Sequence, residues 1–243
     1  MLFLMNQRRH PKSLGCITCG TRCSRDEAPA GVKIPLMLWY DTFSNIYDST
    51  IELVYKKYRT IVVGKLHIKP NDVVLDLACG TGPNHPHLLK HMSGAGMIIA
   101  VDYSAGMIER AQKKAQRNGW KNIVFVQQDA CQLSLQDIEN SVGRPVHIDR
   151  VIVTLGLSVI PNWQDVFAVT FNLLQPGGRY VIFDIHTTQW VPQTWLVKVL
   201  AQADTSRQSW KALEACSENF TFEYLSGSAL VHGGRPFVAV GQK

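Results

Sequence analysis

The sequence predicts an α/β fold: a doubly wound, mainly parallel sheet that closes on a C-terminal antiparallel hairpin. Three observations predict it. From residue 72 onward, short apolar runs alternate with helical stretches. The first run, VVLDLA (73–78), stops at a glycine-containing loop, CGTG. The last two β-rich runs, NFTFEYL (219–225) and RPFVAVGQ (235–242), are separated only by a glycine-containing loop. Strands that alternate with helices become parallel neighbours through right-handed crossovers. Two strands joined by a short loop pair antiparallel.

The elements follow in order. Residues 1–35 form a basic leader and a linker, DEAPAGVKIP. Residues 36–243 form the domain, and 36–70 supply one or two helices ahead of the sheet, because apolar residues recur there at helical spacing. Residues 84–92 read as a helix, with Pro83 and Pro86 at its start, where a missing N–H costs little. MIIAVD (97–102) is the second strand. SAGMIERAQKKAQRNG (104–119) is a helix that Ser104 caps and Gly119 ends. NIVFVQQD (122–129), HIDRVIVTL (147–155) and GGRYVIFDIH (177–186) are strands three to five.

Charge and cysteines exclude several classes. The formal charge is +6, but residues 1–25 hold Arg8, Arg9, Lys12, Arg22 and Arg25 and no acid. The remaining chain carries 20 basic and 19 acidic residues, so net charge gives no sign of a nucleic-acid groove. Cys79, Cys131 and Cys216 are scattered, which suits a reducing compartment. Cys16, Cys19 and Cys23 form C-x-x-C-x-x-x-C, with His10 as a distant fourth ligand. Nothing nearby supplies a second ligand pair, so a plain tail is the preferred reading and no metal is expected. The leader fits a transit peptide or an unstructured extension. No run reaches the roughly 18 apolar residues of a membrane span. The expected location is intracellular, in the cytoplasm or at a membrane surface, with organelle targeting by the leader left open.

In open α/β sheets, ligands bind beyond the carboxyl ends of the strands. The loop after the first strand therefore belongs to the site. A dinucleotide fingerprint needs a third glycine, and His85 stands there. A phosphate loop needs lysine, and Pro83 stands there. Acids decide the ligand further. Asp76, Asp102 and Asp129 recur at intervals of 26 and 27 residues, one per strand–helix unit. Asp102 can accept both ribose hydroxyls, and Asp129 can accept from an adenine amino group. Anchored ribose and base without a phosphate cradle fit S-adenosylmethionine.

VVLDLACGTG and VDYSAGMIERAQ resemble the first two motifs of class I S-adenosylmethionine-dependent methyltransferases, and QQDA and LLQPGGRYVIFD are similar to later segments. The resemblance covers roughly residues 40–242. It implies a seven-stranded sheet with a reversed last strand and a Rossmann-like topology. It implies that Asp76 orients the loop and that Ala78, Gly80 and Gly82 approach the methionine portion. Asp102 would hold the ribose, with Tyr103 and Met107 flanking the adenine. Asp129 and Ala130 would meet the adenine edge. Thr154 and Leu155 would line the sulfonium side. The family usually has glycine where Ala78 stands, and alanine asks only for a negative φ there.

The acceptor is less legible. TLGLSVIPNW (154–163) lacks the N/D-P-P-Y/F motif of many nucleic-acid amino methyltransferases. LSVIPNW resembles small-molecule and lipid methyltransferases, including the betaine-lipid and phosphatidylethanolamine N-methyltransferases, while the quinone methyltransferases share the motif set. The leading expectation is a small or amphipathic acceptor, an amine of a lipid head group, and the alternative is C- or O-methylation of a quinone-like ring. A non-catalytic partner subunit and a repurposed fold stay open, as does the oligomeric state. YDTFSNIYD…YKKYR resembles the cap helix of these enzymes, which would set Tyr47 and Arg59 over the cofactor. His186 follows the fifth strand and is the candidate base or substrate contact. His85 and His87 lie about 200° apart on a helix, a poor arrangement for a shared metal. QWVPQTWLVKVLAQA (189–203) reads as a core-packing helix, with peripheral membrane contact as its other reading.

Overall fold

The computed structural model describes residues 55–93, 95–187, 203–227 and 233–243. Tyr47, the leader, the first part of the cap region and the 189–203 segment up to residue 202 lie outside these. Among the described residues seven strands form one sheet in the order β3-β2-β1-β4-β5-β7-β6. They are β1 (Val73–Leu77), β2 (Met97–Asp102), β3 (Ile123–Gln127), β4 (Ile148–Thr154), β5 (Leu174–His186), β6 (Glu218–Tyr224) and β7 (Arg235–Gln242). The first five run parallel, and β7 pairs antiparallel with both β5 and β6. This is the predicted sheet with the predicted reversed end.

Both faces of the sheet are covered, which is why β1 is buried at all five positions. One face packs under α1 (residues 55–64), α2 (His85–Leu89) and α3 (Ala105–Arg117), through Tyr58, Val62, Leu88 and Ile108. The other packs under α4 (Leu135–Val142), α5 (Trp163–Leu173) and the helix Trp210–Cys216, through Ile138, Phe167, Phe171 and Leu213. The Tyr55 and Tyr58 rings lie 6.0 and 5.7 Å from the Phe183 ring, fixing α1 across β5.

Some boundaries differ from the sequence reading. The helix after the glycine loop is five residues long, not the predicted span 84–92; Pro86 does sit in its first turn. β5 begins at Leu174, before the Pro-Gly-Gly stretch, with a register irregularity against β4 between Ile148 and Arg150. No helix among the described residues is long and apolar enough to cross a membrane.

Candidate functional site

The carboxyl ends of β1, β2 and β4 meet at one rim. The chain leaves β1 through Ala78, Gly80 and Gly82, all at positive φ: 50°, 55° and 74°. The Cys79 N–H still bonds to Val101 O at 3.0 Å, so the loop starts pinned to β2. A side chain at Gly80 would point into open space, whereas one at Gly82 would run into the His85 ring. The backbone at Gly80 is thus open to a ligand, and Gly82 lets the loop close over His85.

Ala78 corrects the expectation of a negative φ. Its left-handed backbone is glycine territory, where a Cβ costs roughly 1–2 kcal/mol. A Cβ placed on Gly156, after β4, would stand 2.9 Å from the Ala78 methyl. The missing side chain at Gly156 is what admits Ala78. Leu155, the neighbour of Gly156, is also left-handed (φ 57°), and its N–H bonds to Phe183 O at 2.7 Å.

Asp102 ends β2 as predicted. Its Oδ2 accepts from the Gly80 N–H at 2.8 Å and its Oδ1 from the Ser104 N–H at 2.9 Å. Ser104 in turn caps α3 by accepting from the Met107 N–H. Burial raises the Asp102 pKa, while the Ser104 and Gly80 amides oppose the rise. Each carboxylate oxygen keeps acceptor capacity for one more donor. Tyr103 is 56% exposed beside it, while Met107, on α3, is buried. Asp129 lies just beyond β3, capping the short turn Ala130–Gln132 by accepting from the Cys131 N–H at 2.9 Å.

Behind the loop lies a buried polar network. Asn84 Nδ2 donates to Asp76 Oδ1 at 2.9 Å and lies 3.0 Å from Thr154 Oγ1. Arg59 Nη1 donates to Asn84 Oδ1 at 2.7 Å and reaches Thr154 Oγ1 at 3.5 Å. The helix α1, the glycine loop and β4 are thereby tied together through Asn84. Although Asn84 occupies the cap position of α2, its side chain makes no cap bond. Asp76 Oδ2 has no hydrogen bond among the described residues, and His85 Nε2 stands 3.4 Å from it. His85 is fully buried, edge-on to Phe125 at 5.8 Å. It is therefore closed off from solvent. The Cys79 thiol stays protonated because burial raises its pKa, with Asp102 and Asp76 adding to the effect.

His186 ends β5 but is only 6% exposed. Its Nδ1 lies 2.8 Å from Tyr224 Oη, and Trp210 meets its ring at 4.7 Å. The Arg235 guanidinium stands 3.9 Å over the Tyr224 ring. Burial first, then the Arg235 charge, lower the His186 pKa. Next to it, Asp184 Oδ2 accepts from the Ser158 N–H at 2.9 Å, anchoring the segment after β4. Sequence reasoning named neither Asn84, Gly156 nor Tyr224, since each acts only through a distant partner. Among the described residues no cluster of His, Cys, Asp and Glu has metal-ligating geometry.

The residues fit an adenosine-bearing group. Asp102 has spare acceptor capacity at the rim, Tyr103 offers an exposed aromatic face, and the Gly80 backbone opens onto space.

Comparison with known proteins identifies the family. Residues 68–223, more than half of the chain, match a family model described as a methyltransferase domain. A demethylmenaquinone methyltransferase of Lactiplantibacillus plantarum is 27% identical over 150 residues, 60% of this chain and 60% of that protein. A 2-phytyl-1,4-naphtoquinone methyltransferase of Synechococcus elongatus is 26% identical over 190 residues, 76% of each. The chain thus spans less than two thirds of the length of the first of these relatives. Phosphoethanolamine N-methyltransferase 2 of Haemonchus contortus, solved with phosphomonomethylethanolamine and S-adenosylhomocysteine, superposes with a TM-score of 0.69 at 11% identity. That alignment covers 87% of this chain and 60% of the other, and it is a likeness of fold.

Proposed function

The chain belongs to the methyltransferase-domain family, and from that premise we propose that it transfers a methyl group from S-adenosylmethionine to a quinone-like ring. The cofactor supplies a methyl group already activated on a sulfonium. The observation that carries its placement is the Asp102 carboxylate, which joins the Gly80 N–H to the end of β2 and keeps acceptor capacity at the rim. Asp102 holds the ribose, with Tyr103 and Met107 beside the base and Asp129 and Ala130 at its edge. The Gly80 backbone lets the methionine portion come close. Asp76 shapes the loop through Asn84. Arg59, bonded to Asn84 and Thr154, stands between the cap helix and the loop, and Thr154 and Leu155 border the reacting side.

Methyl transfer is an in-line displacement, so orientation and exclusion of water do much of the work. Ring methylation also releases a proton from the acceptor. His186 is the candidate to take it, because its lowered pKa keeps the imidazole neutral near neutral pH. The quinone reading rests on the relatives named above. It stands ahead of the lipid-amine reading taken from LSVIPNW, which has only a likeness of fold behind it.

The two readings separate in one assay. The protein is incubated with S-adenosylmethionine and either a reduced, unmethylated naphthoquinone or phosphoethanolamine. A methyl mass gain on the naphthoquinone supports the proposal, and fragment masses distinguish carbon from oxygen methylation. A gain on the amine alone replaces the quinone reading. A gain on neither removes both.

A further inference from the structure

The opposite rim of the sheet carries a second charged site. Arg150 on β4 and Arg179 on β5 are register partners on adjacent parallel strands, so both side chains leave the same face. Arg150 Nη2 pairs with Asp72 Oδ2 at 3.0 Å, and both residues are buried. Its other contacts are the carbonyls of Asp149 and His67. Arg179 has no carboxylate partner among the described residues. Its side-chain contact is His67 Nδ1, 3.3 Å from Nη1. The Nε atoms of both arginines are buried and make no hydrogen bond among the described residues. Lys65 stands in the same turn, paired with Glu223 at 2.6 Å. Among the described residues Asp72 pairs with Arg150 and leaves Arg179 without a carboxylate, and the neighbouring imidazole is held at positive φ (50°) after α1.

A guanidinium next to a second guanidinium is costly to leave without a counter-charge, and its fork suits a planar or tetrahedral oxyanion. His67 registers the imbalance: the Arg179 charge first, then burial, Arg150 and Lys65, lower its pKa. The excess positive charge sits in the amino-terminal halves of β4 and β5, away from Asp102 and the glycine loop.

We propose that Arg179, His67 and Arg150 form a phosphate-binding site at the amino-terminal rim of the sheet, distinct from the cofactor rim. His67 is exposed and can protonate onto a bound anion, while Arg179 offers its fork. The ligand is a phosphoryl group, either free in solution or in the head group of an anionic lipid. Nothing in this assignment depends on the acceptor that is methylated.

The His67 titration, followed by NMR of the full chain at fixed ionic strength, tests it. Three media are compared with chloride: inorganic phosphate, phosphatidylcholine vesicles, and phosphatidylcholine vesicles containing phosphatidylglycerol. A bound anion raises the His67 pKa by about one unit. A rise with inorganic phosphate supports a soluble ligand. A rise only with the phosphatidylglycerol vesicles supports a membrane phosphate. In both cases Arg179→Gln must abolish the anion-dependent rise. No rise in any medium, or the same rise in Arg179→Gln, overturns the proposal. If Arg179→Gln does not fold, His67→Gln is titrated calorimetrically with the medium that raised the pKa, and an affinity equal to the parent's overturns it.

Discussion

Asn84 Nδ2 donates to Asp76 Oδ1 at 2.9 Å inside a network that Arg59 closes from the cap helix. The glycine loop is therefore held from below by side chains, while its backbone faces the rim.

Asn84→Ala should destabilise the fold by about 2–3 kcal/mol, because it strips partners from a buried carboxylate and a buried guanidinium. Urea unfolding checks the size. Calorimetry should also show weaker S-adenosylmethionine binding, since Asp76 and Arg59 lose their common partner.

Ala78→Gly should stabilise the protein by roughly 0.5–1 kcal/mol, the left-handed penalty less the entropy of an added glycine. It also removes the methyl beside Gly156. A lower denaturation midpoint in the variant would show that this methyl packs better than its backbone is strained.

These two residues mark where the sequence stopped being legible. The five parallel strands were legible as apolar runs, which burial on both faces makes continuous in β1 and β2, and Asp102 was legible because it ends one of them. Asn84 was not, since proline on one side and a helix on the other make it read as an ordinary cap. Ala78 was misread because its φ is set by the loop, not by its own preference. α5 runs into β5 without a break, and its apolar residues WQDVFAVTFNL mask the change of period. α4 did carry a signal: Ser134 and Asp137 form a capping box.

Asp184 predicts a pH dependence of stability. Burial pushes its carboxyl up to about 6, against hydrogen bonds from Ser158 and the Ile185 N–H and the Arg207 charge. A raised pKa means that the folded state binds the proton more tightly than the unfolded chain. Stability is then highest below the ordinary value near 4, and this share falls as pH rises towards about 6. The loss is on the order of 3 kcal/mol. Asp184→Asn should flatten that slope between pH 4 and 6, measured by urea unfolding across the range. A slope unchanged in the variant would assign it to other groups.

His186→Asn should lower kcat by roughly 10²–10⁴ while leaving cofactor affinity intact, if the imidazole is the base. Tyr224→Phe removes the partner of Nδ1 and should shift the acidic limb of the kcat/KM profile. In the parent that limb lies below the ordinary histidine value of 6.5, because burial and Arg235 lower the His186 pKa. A His186→Asn enzyme with parental kcat would leave His186 as part of the aromatic cluster alone.

Calorimetric titration of the protein and of Asp102→Ala decides whether the loop after β1 and Asp102 hold S-adenosylmethionine. The expected result is one site for S-adenosylmethionine and for its demethylated product, weakened by about 1–3 kcal/mol in the variant. Equal affinity in the two proteins, or no binding to the parent, would contradict it.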